Sequence, residues 1–296
     1  MLNPQTPTIF RAAMADVWRH KRAAFGLVIW LFVILVAVER RYLQAVERMI
    51  FDVSVPYPYV LEWAVTLMGL ALVPLIALPW HWLILCEANG APSWQEAPGK
   101  LKRLALYLLH WVIYGLLITL AVVLPLVLIG GLLFLLGGDP LLDLVLLGPF
   151  NSGPGAGLLA LVLWLPQIIA YGLAIAIFSY LYFRAAMGLP HIAVTGTALP
   201  MRQSWQWTAP LHRALLRTAL AVTAVTLLLT LGPMWLDLVR PVDFETPRSD
   251  RQLVLVAAAR IASEIALILG GAAVLSRVYA VSAPEQKPPV QDPKQT

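Results

Sequence analysis

The chain has 296 residues, 60% of them hydrophobic and only 12% charged, with a formal net charge of +5 and a mean hydropathy of +0.77. Soluble domains carry roughly 25% charged residues, so too few polar side chains are present here to cover a water-facing surface. A soluble enzyme, a disordered regulator and a nucleic-acid-binding protein are poor readings, the last because the basic residues are spread along the loops rather than gathered in a patch.

The N-terminal stretch 1–22 places Phe10, Ala13, Met14 and Val17 on one helical face and Arg11, Arg19 and Arg22 on another, the pattern of an interfacial amphipathic helix. The apolar run behind it ends in Glu39-Arg40-Arg41 with no small-residue cleavage site, which predicts an uncleaved signal anchor. About 20 apolar residues cross a bilayer at 1.5 Å per residue. Six stretches qualify: 23–38, 59–85, 104–136, 156–183, 214–236 and 253–280. The third is too long for a perpendicular crossing, and Pro125 with Gly130-Gly131 is expected to break it. The tail 282–296, with four prolines, reads as disordered. The expected fold is therefore all-α: one polytopic domain over 1–281 with six transmembrane helices.

Lys and Arg set orientation. The N-terminus, the loops 85–103 and 184–217 and the tail carry 14 basic and 5 acidic residues, whereas 39–58, 137–155 and 237–251 carry 6 basic and 9 acidic ones. Both termini are thus expected in the cytoplasm of a bacterial inner membrane, with anionic lipid headgroups against the basic clusters.

Two loops on the basic side share a signature, Ser93-Trp94-Gln95-Glu96-Ala97-Pro98 and Ser204-Trp205-Gln206-Trp207-Thr208-Ala209-Pro210, each followed by a basic cluster and a span. Trp18 with His20-Lys21-Arg22 is a weaker third copy, so the expected unit is an amphipathic segment plus a hairpin, used three times. Ser93 and Glu96 fit a capping box, and Trp94 and the other tryptophans suit the headgroup boundary.

The run Phe183-Arg184-Ala185-Ala186-Met187-Gly188-Leu189-Pro190-His191-Ile192-Ala193, with Ser204-Trp205 and Thr208, resembles a pattern in bacterial inner-membrane proteins, many of them alphaproteobacterial. Those proteins are similar to the membrane domain associated with glycerophosphoryl diester phosphodiesterases. The residues that carry the resemblance are Arg184, Leu189, Pro190, Ser204, Trp205 and Thr208. Where that family commonly has a glycine after the threonine, this chain has Ala209-Pro210. The resemblance implies a six-span fold in a membrane and no reaction, since the phosphodiesterase activity belongs to a separate soluble domain.

Chemistry-bearing residues inside the spans are few. Arg260 and Glu264 lie four apart in the sixth stretch and share a face, where each costs roughly 2.5–3.5 kcal/mol at the membrane centre unless paired. Either they form an internal ion pair that fixes the helix, or they form a relay or a headgroup site. His81, near the cytoplasmic end of the second stretch, and His110, early in the third, could lie at similar depth and ligate a haem axially, but histidines beside Trp80, Trp82 and Trp111 read more simply as interface residues. Pro74, Pro125, Pro166 and Pro233 sit in four spans and, with Gln167 and Tyr171, could mark a transport pathway through broken helices. Glu62 lies close to an interface. Asp139 and Asp143 share a face of an external segment and read as a solvated surface. No cofactor, metal or nucleic-acid partner is implied: one cysteine, Cys86, cannot build a disulfide framework, and no nucleophile elbow, Walker loop or zinc motif is present. A non-enzymatic membrane protein that organises lipids or partner proteins is the expected function, with a small-solute or ion transporter using the Arg260–Glu264 face as the alternative.

Overall fold

The computed structural model describes residues 9–52, 54, 56–135, 157–239 and 249–283. Among them α1 (Ile9–Arg19) is followed, after His20 alone, by α2 (Lys21–Phe51) and then by α3 (Tyr59–Leu85). Two 3-10 turns, Glu87–Asn89 and Trp94–Glu96, lead into α4 (Lys100–Leu135) and α5 (Gly157–Ala185). The short α6 (Gly188–Thr195) and α7 (Met201–Thr208) precede α8 (His212–Val239) and α9 (Asp250–Ser282). No strand occurs among the described residues. Six of these helices are long and apolar enough to cross a membrane. The chain is a multi-pass membrane protein built as an all-α bundle.

Several helices outrun the hydrocarbon. The 31 residues of α2 and the 33 of α9 rise about 45–50 Å against roughly 30 Å of lipid tail. Glu39-Arg40-Arg41 therefore does not end the first span: α2 continues for ten more residues, because a helix satisfies its backbone in water as well as in lipid. The expected break in the third span is also absent, since α4 is uninterrupted through Pro125 and Gly130-Gly131 to Leu135. Pro74 and Pro79 lie inside a continuous α3, and α5 and α8 run unbroken past Pro166 and Pro233. Asp139, Asp143 and the proline-rich tail beyond residue 283 lie outside the described residues.

The core is concentrated at one end, the basic end, which holds Arg22, Arg103, Arg184 and Arg277. There Leu78, Trp80, Tyr107, Met187, Leu189, Ile192, Leu215, Val274, Leu275 and Val278 are fully or almost fully buried. Towards the opposite end the packing thins: on α4, Leu116, Leu117, Leu120, Val123, Leu124 and Leu128 are all exposed to the surroundings. Apolar side chains on that surface gain nothing from leaving lipid, so the bundle is tightly fixed where polar side chains and the short helices join the spans.

The short helices are the fasteners. The apolar face of α1 is turned onto the protein: Ala13 is fully buried, and Phe10, Met14 and Val17 pack against the core, with Met14 beside Gly270 of α9. Buried Asp16 closes on Arg277 of α9 through a two-point ion pair. Trp18 faces away, 72% exposed, with the Lys21 ammonium 4.1 Å from its ring. The three pre-hairpin segments are not copies of one structure. The first and third are helices, whereas the second is a pair of 3-10 turns. The capping box expected at Ser93 and Glu96 does not form, since Ser93 makes no side-chain cap. Glu96 instead bonds the Ser93 carbonyl through its backbone N–H at 2.9 Å. A full capping box occurs elsewhere, between Ser249 and Gln252 at the start of α9.

Candidate functional site

The motif residues of the 183–208 region come together at the basic end. Arg184, in the last turn of α5, lies flat over Trp205 at 4.1 Å and donates to the Trp205 carbonyl at 3.3 Å, to Thr208 Oγ1 at 3.5 Å and to the Tyr180 hydroxyl at 3.2 Å. Ser204 Oγ donates back to the Arg184 carbonyl at 2.5 Å, and Thr208 Oγ1 donates to the Ser204 carbonyl at 2.9 Å. These side chains use up the carbonyls that a helix leaves free at its C-terminus. Tyr180, accepting from Arg184, is also hydrogen-bonded to His212 Nδ1 at 2.6 Å. Leu189 is completely buried in α6, and Pro190 beside it is buried too. The Arg–Leu-Pro–Ser-Trp–Thr pattern is thus a joint locking α5, α7 and α8 together.

Arg103, one turn into α4, serves α6 in the same way. Its Nη1 donates to the carbonyls of Ile192 at 3.2 Å and Ala193 at 2.6 Å, while Nε donates to Pro98 at 2.9 Å. Its guanidinium also lies 5.2 Å from the centre of the Trp82 ring, and Trp94 meets Trp82 edge-on with ring centres 5.9 Å apart. Gly196, at φ 73°, ends α6 in the left-handed conformation that glycine adopts without strain. A side chain there would meet Arg103 at 3.3 Å. Nothing in the sequence distinguishes Arg103 from the neighbouring Lys100 and Lys102. Its partner is backbone 89 and 90 residues away.

Two histidines sit within this core. His81 is fully buried, and its neighbours fix its tautomer: the Ser276 hydroxyl donates to the Ala272 carbonyl at 2.9 Å, so His81 Nδ1–H donates to Ser276 Oγ at 2.7 Å. Nε2 then accepts from the Tyr107 hydroxyl at 3.0 Å. His191 repeats this logic. Thr195 donates to the His191 carbonyl at 2.9 Å and Thr197 to Thr195 at 2.8 Å. His191 Nε2–H therefore turns to Thr197 Oγ1 at 3.4 Å, and Nδ1 accepts from Tyr279 at 3.0 Å. His110 donates from Nδ1 to the Leu106 carbonyl in its own helix at 2.8 Å. His81 and His110 are thus engaged separately, and both nitrogens of His81 have partners other than a metal.

Cys86, just beyond the end of α3, is half-buried, and burial pushes its thiol up to about 11 against a smaller opposing influence from Arg103.

The intramembrane pair is built differently from its sequence pattern. Arg260 approaches Glu39 of α2, Nη1 to Oε1 2.6 Å, rather than closing on Glu264 of its own helix. Glu39 is only 3% exposed and Arg260 46%. Glu264, one turn nearer the basic end, is exposed and within electrostatic reach of both. Arg260 stands seventeen residues from Arg277, about 25 Å of helix rise, which places it near the far edge of the hydrocarbon rather than at its centre. Above it, Arg40 of α2 holds Asp250 with both Nε and Nη2. Glu39 was read in the sequence as part of a loop, so its role in this cluster was missed. Tyr171 is half-exposed on α5, and nothing described brings it to the Arg260 cluster.

Comparison with protein-family models, with curated proteins and with solved structures gives no match.

Proposed function

We propose that the chain is a non-enzymatic protein of the bacterial inner membrane that organises anionic lipid, or a membrane partner carrying acidic groups, at its basic end, with that end and both termini in the cytoplasm. The observation that carries this reading is the division of labour at the basic end. The polar side chains most suited to chemistry, His81, Ser276, Tyr107, His191, Arg184, Ser204 and Thr208, are each spent on fixing helix ends and packing. The surface around them keeps exposed Trp18, Phe25, Arg22, Lys100 and Lys102 at the level where headgroups lie. The excess of Lys and Arg at this end supports its cytoplasmic placement.

The transporter reading rests on one observation, the open Arg260–Glu264 face. Its other basis, broken helices at the prolines, does not survive, because all four helices are continuous.

Native mass spectrometry of the full chain extracted in mild detergent tests the organising role. Phosphatidylglycerol or cardiolipin should remain bound. Combined substitution of Lys21, Arg22 and Lys102 by Gln should weaken retention on the order of a hundredfold, at about 1 kcal/mol per basic residue. Lipid-free protein, together with solute-dependent flux in proteoliposomes, would instead support the transporter.

A further inference from the structure

The charge balance where α2 meets α9 is uneven. Arg40, within α2, and Asp250, the first residue of α9, neutralise each other, with Arg41 and Arg251 beside them in the sequence. Below them the Arg260 guanidinium pairs with Glu39, and Glu264, one helical turn along α9, lies within electrostatic reach of both. On α3 the nearest carboxylate by position is Glu62, in the first turn, which interacts with Tyr57 instead. On α8 the sequence carries no charged residue from Thr218 to Trp235. Among the described residues of this face, two carboxylates stand against one guanidinium, an excess of one negative charge.

The geometry of Glu39 shows the same excess from a second side. Its Oε1 is buried and 2.6 Å from Arg260 Nη1, a charge neighbour, yet it has no hydrogen-bond donor among the described residues. A buried carboxylate oxygen without a donor is costly, and an uncompensated charge in low dielectric is relieved by neutralisation rather than tolerated. A proton meets this need with one lone pair, whereas a metal cation needs several oxygens around it.

We propose that Glu39, Arg260 and Glu264 form a proton-binding site between α2 and α9, in which the two carboxylates hold one proton and one guanidinium between them. The site couples a proton to the packing of the first and last spans, a property separate from the organising role at the basic end and independent of it. With Arg260 ionised, one bound proton brings the three groups to charge balance.

Infrared difference spectroscopy of the full chain in lipid nanodiscs counts such groups directly. Wild type should show the carbonyl band of one protonated carboxyl at neutral pH. Glu39→Gln and Glu264→Gln, made separately, should each abolish it, because either leaves one carboxylate for one guanidinium. Glu264→Gln alters an exposed side chain, which keeps the test open should Glu39→Gln fail to fold. Arg260→Gln should double the band, since neither acid then has a counter-ion. A wild type without the band, or a band of unchanged intensity in both Gln variants, would overturn the proposal. So would a band lost on adding sodium at constant pH, which would mark an alkali-cation site.

Discussion

Replacing Arg103 by methionine should lower the stability of the bundle by about 3 kcal/mol, while the same change at Lys102 should have little effect. The side chains are neighbours in a basic cluster, but Lys102 is exposed and Arg103 is buried against three carbonyls. Hydrogen bonds from a charged donor contribute about 1.5–3 kcal/mol each, and carbonyls left buried without a donor add their desolvation cost. The methionine preserves much of the aliphatic packing against Trp82, so the loss isolates the hydrogen bonds. Arg103→Lys should recover only part of it, because an ammonium cannot span Pro98 and the end of α6 with the fixed fork of a guanidinium. Thermal unfolding in detergent, followed by circular dichroism, should show a drop of roughly 5–10 °C for Arg103→Met. An unchanged transition would mean that α6 does not depend on this cap.

Gly188→Ala should destabilise by about 1–3 kcal/mol for a steric reason. A Cβ at this position would lie 2.5 Å from the Tyr114 hydroxyl oxygen and 3.3 Å from two of its ring carbons. Tyr114 cannot easily yield: it is 3% exposed, and its hydroxyl donates to the Leu199 carbonyl at 3.3 Å. Tyr114→Phe removes the closest atom, so the double variant should be less destabilised than the two single effects together, with a coupling of about 1 kcal/mol or more. Additive effects would show that the crowding is relieved some other way. The glycine is needed here for close approach of α6 to α4, since its φ is not in the positive range.

The spans were legible in the sequence because their signal is local: a long apolar run has few alternatives to a membrane helix. The stretch 59–85 coincides with α3, and the other five differ mainly at their ends, which charge placement misjudges. Glu39-Arg40-Arg41 marked where lipid ends, not where the helix ends. Pro125 was given too much weight as a breaker, since neighbouring backbone adjusts in a membrane helix. The amphipathic pattern over 1–22 includes α1, Ile9–Arg19, but periodicity alone does not say whether its apolar face meets lipid or protein. Here buried Ala13 and the Asp16–Arg277 pair turn it to α9.

The sites were less legible because their partners are distant. The motif residues Arg184, Ser204, Trp205 and Thr208 were singled out together and do meet, being close in sequence. Arg260 and Glu264 were paired by helical spacing, whereas Glu39, some 220 residues away, makes the closer approach. Arg103, Asp16 and Glu39 were all counted among water-facing charges, and all three are buried. The segment at Ser93 is a similar case: the right residues for a cap are present, but the chain forms a 3-10 turn in which Ser93 makes no side-chain cap.

Orientation underlies the whole functional reading, and Cys86, the chain's single cysteine, reports it without any mutation. It lies at the basic end, just past α3, with its thiol raised to about 11. The thiolate is the reactive form, so labelling should be roughly a hundredfold slower at neutral pH than for an ordinary thiol, and should accelerate as pH rises towards 11. A membrane-impermeant maleimide applied at moderately alkaline pH should therefore label Cys86 in inside-out vesicles and leave it unlabelled in right-side-out ones. Labelling from the outer face alone would place the basic end outside the cell and contradict the proposed organisation of cytoplasmic-leaflet lipid.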